Sequence, residues 1–359
     1  MGQPILLVAG ARPNFMKLAP VQRALSSRIE DVMVVHTGQH YDHIMSQVFF
    51  DELGIPEPDV HLGVGSGSHA FQTAKIMIEF EKLCNDLSPK MVVVFGDVNS
   101  TVACSLVAAK LLLPVAHVEA GLRSGDNSMP EEVNRIVTDH LSSILFTTTS
   151  YANENLLAEG IDDDRIFLVG NVMIDTLIHQ TKLINESTII SELDLVPGEY
   201  NLLTLHRPVN VDFRENLETI FSKIAEIGYD KKWIFPAHPR TLSKIRDFKL
   251  ESSLGFLSAI QPLGYNDFSK LVKNANSVWT DSGGIQEECT FYKIPCLTIR
   301  ENTERPETIL HGTNRLVSLD DDFSKIYENI PSYISSEDIP HWDGDSSERI
   351  SKIISDFLG

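Results

Sequence analysis

Apolar runs of four to six residues recur along the chain, most of them closed by a glycine, an acid or a base. Residues 4–9, 32–36, 91–95, 114–118, 144–147 and 166–169 carry them in the first half, and 201–205, 233–237, 277–280 and 295–299 in the second. Runs this short, rich in β-branched residues and without polar alternation, predict buried parallel strands. Between them lie stretches with helical spacing, from Pro13 to about Leu25 and over 46–53, 71–85, 100–113, 172–184 and 346–357. Strands alternating with helices predict an α/β protein with parallel sheets. The run Gly63-Val64-Gly65-Ser66-Gly67-Ser68 spells GxGxG, but residues 56–62 before it look loop-like. It therefore reads as a mobile loop over a cleft rather than as a dinucleotide fingerprint.

At 359 residues the chain is long for a single core, so two domains are expected. Gly170-Asn171 breaks the first series of strands and sets the boundary, giving domains 1–170 and 171–359. Residues 187–200 are polar, contain Pro197-Gly198 and read as a connector.

In an open α/β sheet the ligand crevice lies at the carboxyl ends of the strands. The strand over 91–95 runs into Gly96-Asp97, and the strand over 114–118 runs into Glu119-Ala120-Gly121. Glu131 follows Pro130 at a predicted helix start, close enough in sequence to return to the same crevice. The first strand ends in Gly10-Ala11-Arg12-Pro13-Asn14-Phe15-Met16-Lys17. A strand, a glycine turn and a helix start carrying Arg12 and Lys17 make an anion site, although both could be solvated surface cations. In the second half, strands end in His206-Arg207, in His238-Pro239 and in Asp281-Ser282-Gly283-Gly284. The glycines let backbone N–H groups approach a phosphate, and the following helix presents its positive end. Glu287 or Glu288, in that helix's first turn, suits ribose hydroxyls or is an ordinary capping acid. The histidines at strand ends suit phosphate or general-acid roles, or are structural. Strand ends this charged imply two sheets whose carboxyl edges face one cleft.

The net charge of −20 argues against nucleic acid and anionic membrane as partners, and requires basic residues to be concentrated wherever an anionic substrate binds. Cys84, Cys104, Cys289 and Cys296 sit in or beside apolar runs without metal-binding spacing, as buried thiols of a reducing compartment do. The opening apolar run is too short for a signal peptide, and no stretch approaches a membrane span, so a cytoplasmic protein is expected.

Taken together, Gly10-Ala11-Arg12-Pro13, Gly96-Asp97, His117-Val118-Glu119-Ala120-Gly121-Leu122-Arg123 and Pro130-Glu131-Glu132-Val133-Asn134-Arg135 resemble the non-hydrolysing UDP-N-acetylglucosamine 2-epimerases. So do Thr280-Asp281-Ser282-Gly283-Gly284-Ile285-Gln286-Glu287-Glu288 and Thr303-Glu304-Arg305-Pro306-Glu307, and the likeness spans nearly the whole chain. The resemblance implies a GT-B fold of two Rossmann-like domains, with a last helix crossing back onto the first domain, and a homodimer. It implies interconversion of UDP-N-acetylglucosamine (UDP-GlcNAc) and UDP-N-acetylmannosamine (UDP-ManNAc), without a nicotinamide cofactor or metal, for surface polysaccharide synthesis. By the same resemblance Asp97, Glu119, Glu131 and His206 match catalytic positions. Arg12, Lys17, Arg207, Phe268, Ser282, Gly283, Gly284, Glu288 and Arg305 match positions that bind the nucleotide sugar.

The sequence departs from the family pattern at Gln39-His40-Tyr41-Asp42, at Leu263, and at Pro208-Val209-Asn210 after His206-Arg207. Asp42 accepts hydrogen bonds, cannot donate them and repels a diphosphate, which disfavours a second, activating substrate molecule and predicts hyperbolic kinetics. A GT-B glycosyltransferase and an epimerase of a related UDP-2,3-diacetamido sugar are the alternative readings. The first does not explain three acids at one sheet edge.

Overall fold

The structure, a computed structural model, describes residues 2–38, 53–55, 57–228, 231–330 and 338–359, the side chain of Arg12 excepted. The chain divides into two compact units, Met1–His179 with Pro340–Gly359, and Gln180–Ile339.

The first unit runs β1 (Ile5–Ala9), α1 (Arg12–Ser26), β2 (Val32–His36), β3 (Val60–His61), α2 (His69–Leu87), β4 (Met91–Phe95) and α3 (Asn99–Lys110). It continues β5 (Val115–Ala120), α4 (Pro130–Leu141), β6 (Ile144–Thr147), α5 (Ser150–Ala158), β7 (Ile166–Leu168) and α6 (Val172–Glu186). Its seven strands lie in the order β3-β2-β1-β4-β5-β6-β7, with parallel pairing throughout. β1 and β4 are fully buried, and Ile5 pairs with Val32 on one side and Met91 on the other. Each such Val, Leu or Ile contributes about 1.5–3 kcal/mol by leaving water, which is why runs without polar alternation fill the middle of the sheet. The chain leaves β1 toward β2 and returns at β4, so the carboxyl ends of β1 and β4 flank a switch point.

The second unit takes up the end of α6 and runs α7 (Ile189–Glu192), β8 (Tyr200–Thr204), α8 (Pro208–Val211), α9 (Arg214–Ile227), β9 (Lys232–Pro236), α10 (Pro239–Asp247) and β10 (Leu257–Ile260). Then come α11 (Tyr265–Asn274), β11 (Ser277–Thr280), α12 (Gly283–Tyr292), β12 (Cys296–Ile299), α13 (Glu307–Leu310), β13 (Asn314–Val317) and α14 (Phe323–Glu328). The order β10-β9-β8-β11-β12-β13 repeats the switch, now between β8 and β11. Trp233, Phe235, Trp279 and Phe323 fill one face of this sheet. The two α/β units with parallel sheets form the GT-B architecture.

The terminal helix α15 (Ser346–Leu358) belongs to the first unit. Arg28, just past the end of α1, donates to Ser351 Oγ at 2.9 Å and to Glu348 at 3.0 Å. The buried carboxylate of Asp175 in α6 caps its start, accepting the N–H groups of Ser346 at 3.2 Å and Ser347 at 2.6 Å. The division between units falls inside α6, after His179, rather than before that helix.

Three strands were not legible as apolar runs. β3 has two residues, β10 exposes Ser258 and Ala259, and β13 carries Asn314 and Arg315. Because β3 precedes it, the 63–68 segment does follow a strand, and it is tied down on both sides. The N–H groups of Val64 and Gly65 donate to the carbonyls of Thr37 and Gly38, while Lys75 and Gln72 of α2 donate to the carbonyls of Val64 and Gly65. Most of the predicted 46–53 helix and the Gln39–Asp42 departure lie outside the described residues.

Candidate active site

At the end of β4 the chain turns at Gly96, where φ is +61°. A Cβ there would lie 3.0 Å from Lys17 Nζ, 3.3 Å from Glu119 Oε2 and 3.4 Å from Asn14 Nδ2. Glycine is required both by the backbone conformation and by this close approach. Asp97 follows, with its carboxylate 2.6 Å from the Arg135 guanidinium and its carbonyl accepting Asn134 Nδ2 at 2.9 Å. Arg135 also bonds Glu132, and Glu132 accepts the N–H groups of Ser124 and Gly125 at 2.8–3.0 Å. Helix α4 therefore grips both Asp97 and the loop that follows β5.

Glu119 is buried to 7% exposure and carries a φ of +74°, at a slip in the β5–β6 register between Val118 and Ala120. A non-glycine residue held there costs about 1–3 kcal/mol, a strain that clusters at functional sites. Its carboxylate is ion-paired with Lys17 of α1. Lys17, expected at an anion, is thus placed on a catalytic candidate. Arg12 opens α1, but its side chain lies outside the described part. Glu131 is the second residue of α4 and is exposed. The structure brings Glu119, Lys17 and Asn14 together around Gly96, sets Asp97 next in the chain, and puts Glu131 on the helix that holds Asp97. Sequence reasoning gave no role to Arg135 or Asn134. The signal was available, since Arg135 stands four residues after Glu131, one helical turn on.

In the second unit the buried carboxylate of Asp281, just past β11, organises the end of β8. It accepts the N–H of His206 at 3.1 Å, the N–H of Arg207 at 2.9 Å and Asn210 Nδ2 at 3.1 Å, and His206 Nδ1 lies 3.0 Å away. Burial alone would raise the Asp281 carboxyl, but these donors outweigh it and hold it below the usual carboxylate range. The His206 side chain is 47% exposed and oriented through Nδ1. Asn210, at the Pro208-Val209-Asn210 departure, completes the set of donors. In the sequence, the only signal for Asp281 is its place directly before a Ser-Gly-Gly turn.

Helix α12 begins with Ser282 at its N-cap, then Gly283 and Gly284, with no acid in the first turn and no side-chain cap. Its first amides point along the helix axis as an anion site. A Cβ at Gly283 would come within 2.6 Å of the Arg305 guanidinium and 2.7 Å of Glu304, whereas Gly284 faces open space. Arg305 pairs with Glu287 at 2.8 Å and with Glu304. Glu304 in turn holds Arg300 at 2.8 Å and Arg207 at 3.9 Å. Burial opposes ionisation of Glu304, and the three arginines overcome it, holding its carboxyl far below the usual range. Arg207, Arg305 and the glycine turn are thus one cluster.

Glu288 faces inward from the same helix. Burial, then the neighbouring Glu287, pushes its carboxyl up to about 8. Ser269 Oγ stands 3.5 Å from it. Phe268, beside Ser269 on α11, packs with Leu263 and Ile285 against the core under the helix start.

Acids at the switch point of one Rossmann-like unit, and a glycine turn flanked by arginines at that of a second, define a GT-B enzyme. Residues 23–355 match the family described as UDP-N-acetylglucosamine 2-epimerase, and the chain belongs to that family. The UDP-N-acetylglucosamine 2-epimerase of Methanocaldococcus jannaschii is 44% identical over 97% of this chain and 98% of its own. A crystal structure of the enzyme from that organism, in complex with UDP-GlcNAc and UDP, superposes with a TM-score of 0.90 at 43% identity, covering 98% of this chain and 99% of the other. The UDP-2,3-diacetamido-2,3-dideoxy-D-glucuronate 2-epimerase of Pseudomonas aeruginosa is 39% identical over 87% of this chain and 88% of its own.

Proposed function

We propose that the protein interconverts UDP-GlcNAc and UDP-ManNAc by eliminating and re-adding UDP. The observation that carries this reading is the set of acids at the β4 and β5 ends, where Glu119 packs against Gly96, Asp97 directly follows that glycine and Glu131 stands on the helix gripping Asp97.

C2 of the sugar is not adjacent to a carbonyl, so simple enolisation cannot release its proton. Elimination can. A carboxylate takes the C2 proton, the C2–H electron pair becomes the C1=C2 bond, and the C1–O pair leaves with UDP. The products are UDP and 2-acetamidoglucal. In the second step a UDP oxygen attacks C1 and a proton is delivered to the opposite face of C2. This requires acid/base groups on two faces and a clamp on the departing diphosphate. Asp97, Glu119 and Glu131 supply the first. The amides of Ser282, Gly283 and Gly284 with Arg207 and Arg305 supply the second, and Lys17 sets the direction of Glu119. His206, oriented by Asp281, offers Nε2 to the leaving phosphate. Glu288 takes the ribose hydroxyls, and Phe268 lies on the uracil side.

The active form is a homodimer. Phe71 and Ile78 on α2 and Val133 on α4 stand 57%, 54% and 50% exposed. Val133 also lines a groove of about 550 Å³, together with His69, Ala74, Met77, Val102 and Leu106. An apolar patch of this kind is what a second copy would cover. The four free, buried thiols support a cytoplasmic setting, and among the described residues no helix is long and apolar enough to cross a membrane.

Incubation with UDP-GlcNAc alone tests the reading. UDP-ManNAc forms without any acceptor. No product from UDP-GlcNAc, with turnover of a UDP-2,3-diacetamido uronate instead, would move the substrate to the other sugar.

A further inference from the structure

His117 lies inside β5, two residues before Glu119, and its ring is fully buried. Nε2 donates to the Gly96 carbonyl at 2.8 Å, and Nδ1 donates to Asp139 of α4 at 2.6 Å. The other oxygen of Asp139 accepts the Gly121 N–H at 3.2 Å and lies 2.7 Å from Arg123. Burial alone would raise the Asp139 carboxyl; His117 and Arg123 outweigh it and hold it low. A carbonyl and a carboxylate both only accept, so the ring donates from both nitrogens. Arg123 is anchored in turn by two bonds of 2.7 Å to Glu159.

These contacts sit where the regular β4–β5 ladder ends and the β5–β6 ladder slips. The β4–β5 register ends at Phe95 and Val118, and the β5–β6 register slips just after Val118. Gly96, Glu119 and Gly121 all have positive φ, so both strands leave regular geometry at one level. One ring and one carboxylate then refasten them. Gly96 directly precedes Asp97, Gly121 lies two residues after Glu119, and Asp139 shares α4 with Glu131.

We infer that His117 and Asp139 are positioning residues of the reaction, a buried pair that sets the relative placement of Asp97, Glu119 and Glu131. Neither reaches substrate. The inference rests on the epimerase reading and adds to it residues that act through the acids rather than on the sugar.

The acids must act in concert across the sugar ring, so misplacement harms re-addition and proton return as well as the first step. His117→Gln and Asp139→Asn each keep the shape but lose one of the paired hydrogen bonds. Wild-type and variant enzymes are compared with UDP-GlcNAc in D2O by NMR, with UDP affinity measured by calorimetry. The expected result is a fall in kcat of about ten- to a hundredfold, the scale of a 1 Å misplacement. UDP affinity stays within about twofold, because the nucleotide contacts are untouched. More turnovers end as free UDP and 2-acetamidoglucal per epimerisation. A role in folding alone would scale every rate with the folded fraction and leave that ratio at its wild-type value, and this result would overturn the inference. Where both variants fail to fold, Arg123→Gln removes a partly exposed partner of Asp139 and should shift the ratio in the same direction; an unchanged ratio and kcat there would overturn it too. Wild-type protein that neither epimerises nor exchanges would overturn the functional reading, and the inference with it.

Discussion

Glu119 shows how much local cost the site carries. It is buried, has a positive φ and needs Lys17 beside it. Replacing Asp97 by Asn, or Glu119 or Glu131 by Gln, is expected to lower kcat by about a hundredfold or more, the scale of lost acid/base catalysis. Stability should separate the three. Glu131→Gln leaves an exposed surface unchanged and keeps its melting temperature. Asp97→Asn and Glu119→Gln strip the charge from partners of Arg135 and Lys17 and melt lower. Steady-state kinetics with thermal melts checks both parts, and three near-wild-type amides would remove the acids from the mechanism. Arg305→Ala has a double consequence, because Arg305 neutralises buried Glu287 and Glu304. Breaking such a buried network costs about 3–5 kcal/mol of stability, and loss of a charge-assisted bond to the diphosphate weakens UDP by about 1.5–3 kcal/mol. Calorimetry on the folded fraction separates the two effects.

Among the elements, α12 carries the proposed ribose ligand Glu288 and is expected to couple nucleotide binding to protons. Glu288 ordinarily titrates near 4.5 and is pushed up to about 8. Its folded value lies above its unfolded one, so its ionisation opposes folding. The penalty is absent below about pH 4.5 and grows as pH rises toward 8. Glu288→Gln should therefore raise the melting temperature more at pH 8 than at pH 5. Ribose hydroxyls donate to the ionised form, so UDP binding at pH 7 should release a proton, read as a dependence of calorimetric heat on buffer ionisation enthalpy. No proton release, and no pH-dependent gain in Glu288→Gln, would place Glu288 outside the nucleotide site.

The element scale also shows what the sequence could reveal. β4, β5, β8 and β11 were legible because central parallel strands are apolar throughout, and the acids and glycines at their ends stood out as candidates because open α/β sheets place their ligand crevice at carboxyl ends. β3, β10 and β13 were not, since edge strands need not be apolar. The roles of Asp281 and the His117–Asp139 pair were hidden for another reason. Each depends on which residues distant in sequence meet, as Asp281 meets His206 across 75 residues, and spacing along one strand or helix carries no trace of that.

At the scale of the whole molecule, the exposed apolar side chains of α2 predict association. Phe71→Glu should convert a dimer to a monomer in sedimentation, and a wild-type monomer would refute the dimer outright. The central claim concerns the C2 proton, and one measurement addresses it most directly: NMR of UDP-GlcNAc incubated with the protein in D2O, without added nicotinamide cofactor. The account predicts that UDP-ManNAc appears with deuterium at C2, and that deuterium also enters C2 of the remaining UDP-GlcNAc. Epimerisation with the original hydrogen retained at C2 would contradict it.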